Sequence, residues 1–101
     1  MPNGSQLTNA AQATEIAMAQ YRRFKAKHAD CVLLFRIGDF YEMFDSDAVA
    51  VSKAIGLTLT QRTGGVPMAG VPYHQLENYL KKLIEKGFRV AVCEKTEGGV
   101  A

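Results

Sequence analysis

The sequence predicts an α+β fold, a mixed β-sheet with about three helices packed on it. Three observations carry that expectation. The chain has 101 residues, 48% of them hydrophobic, with nine Gly and only three Pro, which fits one domain with a modest core. Two long segments place apolar residues at helical spacing. Between and after them lie short β-rich runs bounded by glycine turns.

The elements follow in order. Residues 1–12 are small and polar without periodicity and read as a flexible N-terminal tail. Ala13, Ala17, Tyr21 and Phe24 then recur at helical spacing to about His28. Cys31 to Ile37 is an apolar strand, Gly38-Asp39 a two-residue turn, and Phe40 to Phe44 the returning strand of a hairpin. Asp45 and Ser46 suit the N-cap of a helix from Asp47 to Ile55, and Gly56 suits its C-terminal stop. Leu57 to Gln61 alternates as a strand. Pro67 and Pro72 then restrict the next extended segment to a short edge piece. From His74 or Gln75 to Lys86, Leu76, Tyr79, Leu80, Leu83 and Ile84 make one helical face. Gly87 ends it, Phe88 to Cys93 is the last strand, and residues 96–101 read as a flexible C-terminal tail. The module proper is then residues 13–95.

Charge excludes a purely electrostatic grip on nucleic acid. The formal net charge is +2, and the basic residues of the two ends bracket a middle third in which Asp39, Glu42, Asp45 and Asp47 outweigh Arg36 and Lys53. No apolar stretch approaches the ~18 residues of a membrane span, and the first residues lack the basic flank and apolar run of a secretory signal. With two cysteines, Cys31 and Cys93, each inside an apolar run, the expectation is a cytoplasmic protein with both thiols reduced. A disulfide between them would need two strands to bring them together.

Catalytic patterns are weak. Gly64-Gly65 lacks the Lys-Ser/Thr of a phosphate-binding loop. His28 and His74 have no metal-ligand partner at zinc spacing and read as capping or solvated groups. The cluster Asp39, Glu42, Asp45 and Asp47 misses the calcium-loop pattern, and Asp45 and Asp47 read as turn and cap carboxylates. No catalytic residue, cofactor or metal is expected. The informative segment is Phe40-Tyr41-Glu42. Residues two apart on a strand share a face, so Phe40 and Glu42 stand together while Tyr41 and Met43 point to a core. A flat apolar wedge beside one carboxylate acceptor gains little for folding. The bland alternative is that Phe40 tops the core and Glu42 is simply solvated.

The run CVLLFRIGDFYEMF resembles the mismatch-recognition domain (domain I) of the MutS family, with that family's Phe-x-Glu motif on Phe40 and Glu42. The likeness continues through DAVAVSKAIGLTLTQR, PMAGVPYHQLENYLKKLIEKGFRVAVCE and, upstream, QYRRFKAKHAD, about Ala19 to Glu94. Two departures are ATEIAMA ahead of the first helix, where the family has a Thr-Pro-Met-Met-like run, and CEK where it has CEQ. The resemblance implies that Phe40 enters the minor groove at a mispair and Glu42 hydrogen-bonds the displaced base. It also puts Arg62, Met68, Tyr73 and His74 near the DNA side, as backbone or groove contacts. Lys81, Lys82 and Lys86 read as a solvated helix face. The family's ATPase and clamp regions have no counterpart here, so the expectation is a non-enzymatic module, with a slight lean to a stand-alone product over a fragment. Its expected partner is mismatched double-stranded DNA, with a full-length MutS-like protein or another repair protein as a second candidate and no membrane. The alternative function is an adaptor with weak or no DNA binding of its own, and a remote third is a nuclease built on the acidic cluster.

Overall fold

The structure, a computed structural model, describes residues 9–96 and 99–100. In chain order they form α1 (Asn9–Lys27), β1 (Val32–Ile37), β2 (Phe40–Phe44), α2 (Asp45–Ile55), β3 (Thr60–Arg62), β4 (Val66–Pro72), α3 (Leu76–Glu85) and β5 (Val90–Cys93). Short 3-10 turns at Thr63–Gly65 and Tyr73–Gln75 flank β4, and two short strands, β6 (Lys95–Thr96) and β7 (Gly99–Val100), close the described chain. The main sheet has five strands in the order β3-β4-β2-β1-β5, and β6 and β7 form a separate pair among the described residues. β5 runs parallel to β1, whereas β1–β2, β2–β4 and β3–β4 are antiparallel, so the sheet is mixed.

The hairpin forms where glycine permits it: Gly38 sits at φ 59°, a left-handed conformation that costs residues with a Cβ more. It sets Phe35 opposite Glu42 and Ile37 opposite Phe40. The first helix begins at Asn9, so residues 9–12 belong to it, and residues 1–8 of the expected tail lie outside the described residues. Of the expected C-terminal tail, Thr96, Gly99 and Val100 lie in the β6–β7 pair, and residues 97, 98 and 101 lie outside the described residues.

Two local expectations are corrected. β4 is not an edge piece: it lies between β2 and β3. Its two neighbours are staggered, with β2 pairing Met68 to Pro72 and β3 pairing Val66 to Met68. Pro67 and Pro72 therefore each occupy a stretch with a partner on one side only, where a missing N–H is tolerated. Nor do Asp45 and Ser46 cap α2. The helix starts at Asp45 itself, with Phe44 in the cap position and no side-chain cap bond.

The two carboxylates serve tertiary contacts instead. Asp45, at φ 57°, receives both arms of the Arg22 guanidinium at 2.9 Å. That pair is half exposed and contributes little to stability. Asp47 is buried at a junction of three elements. It accepts from Tyr21 Oη and Lys25 Nζ of α1, the latter at 2.9 Å, and from the Leu33 backbone N–H of β1 at 3.1 Å. Lys25 also donates to the Cys31 carbonyl. Burial, with Asp47 beside it, pushes the Tyr21 hydroxyl far above the usual tyrosine range, so it stays a donor.

Pairing register assigns the faces. Phe35, Phe40, Glu42, Phe44, Met68, Gly70, Thr60 and Arg62 share one face of the sheet; Tyr41, Met43, Ala69 and Val71 share the other. On the first face α1 covers Phe44 and Phe35, through a T-shaped Tyr21–Phe44 contact with centroids 5.1 Å apart and a Phe24–Phe35 contact at 6.5 Å. On the second, Tyr41, Met43, Ala69 and Val71 are all buried in the core, as the alternation of the FYEMF strand predicts. All of Val32 to Phe35 is buried, as befits the strand between β2 and β5.

Both cysteines are free. The β1–β5 register puts Cys93 opposite Phe35, four residues along from Cys31. At about 3.3 Å per residue that offset is roughly 13 Å, beyond disulfide reach.

The Asp47 junction has a measurable consequence. Asp47→Ala leaves Lys25, Tyr21 Oη and the Leu33 N–H without their shared acceptor, and urea unfolding is expected to report a loss of about 3 kcal/mol. A loss under about 1 kcal/mol would show that water replaces the carboxylate at little cost.

Candidate nucleic-acid interface

The α1 helix covers only part of its face, and the remainder forms a groove. Phe40, Glu42, Thr58, Thr60, Met68, Ala69 and Gly70 line a cleft of about 270 Å³. The FYEMF strand supplies its two chemically distinct walls. Phe40 is 46% exposed, directly after the Gly38-Asp39 turn. Two residues on, Glu42 is only 9% exposed although it carries a charge. The bland alternative for this pair fails on both counts: Phe40 is turned out of the core, and Glu42 is withheld from solvent.

Gly70 makes the cleft possible. It lies opposite Glu42 across the β2–β4 ladder. A Cβ there would meet Tyr41 O at 3.4 Å, Glu42 Cγ at 3.6 Å and Phe40 Cβ at 3.9 Å. A single methyl fits at ordinary contact distance, whereas a branched side chain would occupy the space between the aromatic ring and the carboxylate.

The carboxylate is poorly compensated. Arg62 Nη2 lies 3.8 Å from Glu42 Oε1, a charge contact longer than a hydrogen bond. Glu42 Oε1 accepts no hydrogen bond from any described residue. Burial raises the Glu42 carboxyl above the ordinary glutamate range, and the Arg62 guanidinium pulls it some of the way back. The groove therefore presents a carboxylate oxygen, Oε1, without a short hydrogen bond from a described residue, beside an apolar plate.

The other expected site residues divide. Met68 lines the groove, and Arg62 stands at its edge through the contact with Glu42. Tyr73 and His74 do not line the cleft, although the Tyr73 N–H donates to the Asp39 carbonyl, one residue before Phe40. Tyr73 lies over the Arg36 guanidinium, 4.1 Å from ring centroid to Cζ, and Arg36 also reaches the Tyr41 ring on the opposite face. His74 packs edge-on against Tyr73. The acidic cluster is dispersed: Asp45 pairs with Arg22, Asp47 is buried under α1, and Glu42 faces the groove. Among the described residues no three His, Cys, Asp or Glu converge as metal ligands. Lys81, Lys82 and Lys86 are exposed on or just after α3, as expected. Sequence reasoning missed Thr58, Thr60 and Gly70, because their place depends on which strands pair and in what register.

The raised Glu42 carboxyl fixes the sign of a pH effect. A carboxyl group that titrates higher folded than unfolded contributes stability below the ordinary glutamate range and loses it as pH rises through the folded-state value. Relative to Glu42→Gln, the unmodified chain is expected to lose stability as pH rises above the ordinary glutamate range, about 4, in urea titrations. Gly70→Ala is expected to change stability by less than about 1 kcal/mol, since its methyl meets no atom closer than 3.4 Å.

Comparison with known proteins agrees with this geometry. A family model described as MutS domain I matches residues 16–100. The chain is 54% identical to the DNA mismatch repair protein MutS of Aquifex pyrophilus, over 79% of this chain and 10% of the relative. It is 55% identical to the protein of the same description from Thermosipho melanesiensis, with 79% and 10% covered. With that of Anaeromyxobacter sp. strain K the identity is 51%, over 86% of this chain and 10% of the relative. The chain thus spans about one tenth of the length of these relatives. A mixed sheet half-covered by its first helix, with the Phe-x-Glu pair on the open half, and these matches lead to one assignment: the chain belongs to the MutS domain I family.

Proposed function

We propose that the chain is a non-enzymatic module that binds mispaired or distorted duplex DNA, with Phe40 as a minor-groove wedge and Glu42 as acceptor for the displaced base. The observation that carries this reading is the pairing, in one groove, of an outward-facing phenyl ring with a buried carboxylate oxygen that accepts no hydrogen bond from a described residue. Packing alone favours neither placement.

The energetics suit damage recognition better than sequence reading. Inserting an apolar wedge costs a few kcal/mol of unstacking per base step, and bending a short site adds about 1–6 kcal/mol. A mispaired base is already poorly stacked, so both costs are lowest there. The minor groove carries a degenerate code, which makes deformability the better signal. Glu42 sharpens the choice. Against an intact duplex a carboxylate near phosphates is repelled; against a displaced base with a free N–H it gains a charge-assisted bond. Met68, beside the wedge, serves as an apolar groove contact. Arg62 brings positive charge to the same edge, where phosphates pass.

A module of this size buries roughly 600–1,000 Å² on DNA, and with a net charge of +2 its affinity is weak and salt-dependent. The test is fluorescence anisotropy with short duplexes, matched against G·T-mispaired or one-base-bulged, at low and physiological salt. The expected outcome is tighter binding to the distorted duplex, with Phe40→Ala losing about 1–3 kcal/mol of it, the scale of one aromatic–base stack. Gly70→Val, which fills the groove, is expected to abolish the preference while the fold is kept. Equal binding to every duplex, unaffected by Phe40→Ala, would overturn the reading in favour of an adaptor that docks on another repair protein.

A further inference from the structure

Glu42 is buried, charged and essential to the reading above, yet the groove itself offers it no cation. Its neighbours across the sheet are Phe35 on β1 and Gly70 on β4, neither of them titratable. The charged group that reaches it comes from one strand further away. Arg62 ends β3, opposite Val66, and its Nη2 comes within 3.8 Å of Glu42 Oε1. The Arg62 side chain is 36% exposed and the Glu42 side chain 12%, so the guanidinium spans from solvent to the buried carboxylate.

We propose that Arg62 is a positioning residue: it keeps Glu42 ionised and its carboxylate held at the groove in the free chain, and so sets how strongly the module discriminates distorted from intact duplex. This inference rests on the proposed role of Glu42. It assigns Arg62 a different task from that of a simple phosphate ligand.

The physical argument has two steps. A carboxylate in a half-apolar cleft tends to take up a proton, because burial penalises its charge. The tendency grows when phosphates approach. A protonated Glu42 repels nothing, and so loses its bias against an intact duplex. A cation at 3.8 Å from Oε1 opposes protonation, and at that distance Oε1 itself stays within reach of a base N–H. The geometry is thus a charge contact that favours the ionised carboxylate while its Oε1 stays without a short hydrogen bond.

The test has a readout that needs no DNA. In the full 101-residue chain, the Glu42 carboxyl is titrated by carbon-detected NMR in the unmodified protein, Arg62→Gln and Arg62→Lys. The expected result is that the Glu42 midpoint rises by about one pH unit or more in Arg62→Gln and returns most of the way in Arg62→Lys. Should Arg62→Gln fail to fold, about 1 M salt applied to the unmodified chain screens the partly exposed guanidinium and is expected to raise the midpoint in the same direction. A midpoint unmoved by both would overturn the proposal.

The second arm compares distorted and matched duplexes. Arg62→Gln is expected to lower the ratio of their affinities about tenfold at a pH between the two Glu42 midpoints, less at lower pH, and to leave that ratio unchanged when Glu42→Gln is already present. An equal loss on both duplexes that persists in the Glu42→Gln background, with the salt slope reduced by about one, would make Arg62 a phosphate ligand and overturn the proposal. If no duplex is preferred by the unmodified chain, the proposed function fails, while the NMR midpoint still decides the relation of Arg62 to Glu42.

Discussion

The buried carboxylate of Asp47 is the constraint from which the arrangement follows. One side chain satisfies three donors that would otherwise lack a shared acceptor: the Tyr21 hydroxyl, the Lys25 ammonium and the Leu33 N–H. In doing so it fixes α1 against the start of α2 and the start of β1. A helix held there covers Phe35 and Phe44 and stops short of Phe40 and Glu42. The open half of the sheet is thus a consequence of where the first helix is tied down. It is no gap in an otherwise complete core.

The two faces of β2 divide the labour. Tyr41 and Met43 hold the domain together from one side, and their burial leaves the backbone of the strand rigid. Phe40 and Glu42, on the other side, inherit that rigidity without contributing much to it. This matters for the proposed role of Phe40: a ring can separate stacked bases only if the strand behind it does not yield. The same logic explains why the neighbouring position is glycine. Any branched side chain at Gly70 would support the ring and carboxylate better and, by filling the space between them, remove the site.

Much of this is legible in the residues. The hairpin, the outward Phe40 and the inward Tyr41 and Met43 follow from a glycine turn and a period of two, which are local rules. The helical faces of α1 and α3 follow from a period of 3.6. What escapes is non-local. Asp45 and Asp47 have the chemistry of helix caps, and nothing local says that Arg22 and Tyr21, more than twenty residues away, claim them instead. Pro67 and Pro72 suggest an edge, and only the stagger of β2 and β3 shows how an inner strand accommodates them. Tyr73 and His74 are close in sequence to Met68, which makes them natural candidates for the groove. Past the end of β4, however, the Tyr73 ring stacks on the Arg36 guanidinium and His74 packs on that ring, so neither lines the cleft. The matching blocks of residues identify the family without any of this, since they compare side chains and do not require the pairings.

The stagger of β4 has a mechanical consequence. Only Met68 is flanked by strands on both sides; from there to Val66 the β3–β4 hairpin projects beyond the last residue of β2 as a cantilever. Arg62, opposite Val66, rides on that overhang, while Thr60, one wall of the groove, sits at its root opposite Met68, and Phe40 and Glu42 lie on the central strand. None of the groove-lining residues therefore lies on the overhang, and the guanidinium near Glu42 comes from the part of the sheet that β2 does not brace. On the proposed function, the wedge and the acceptor are thus carried by doubly flanked strand, and the cation beside them by a hairpin tip that has a neighbour on one side only.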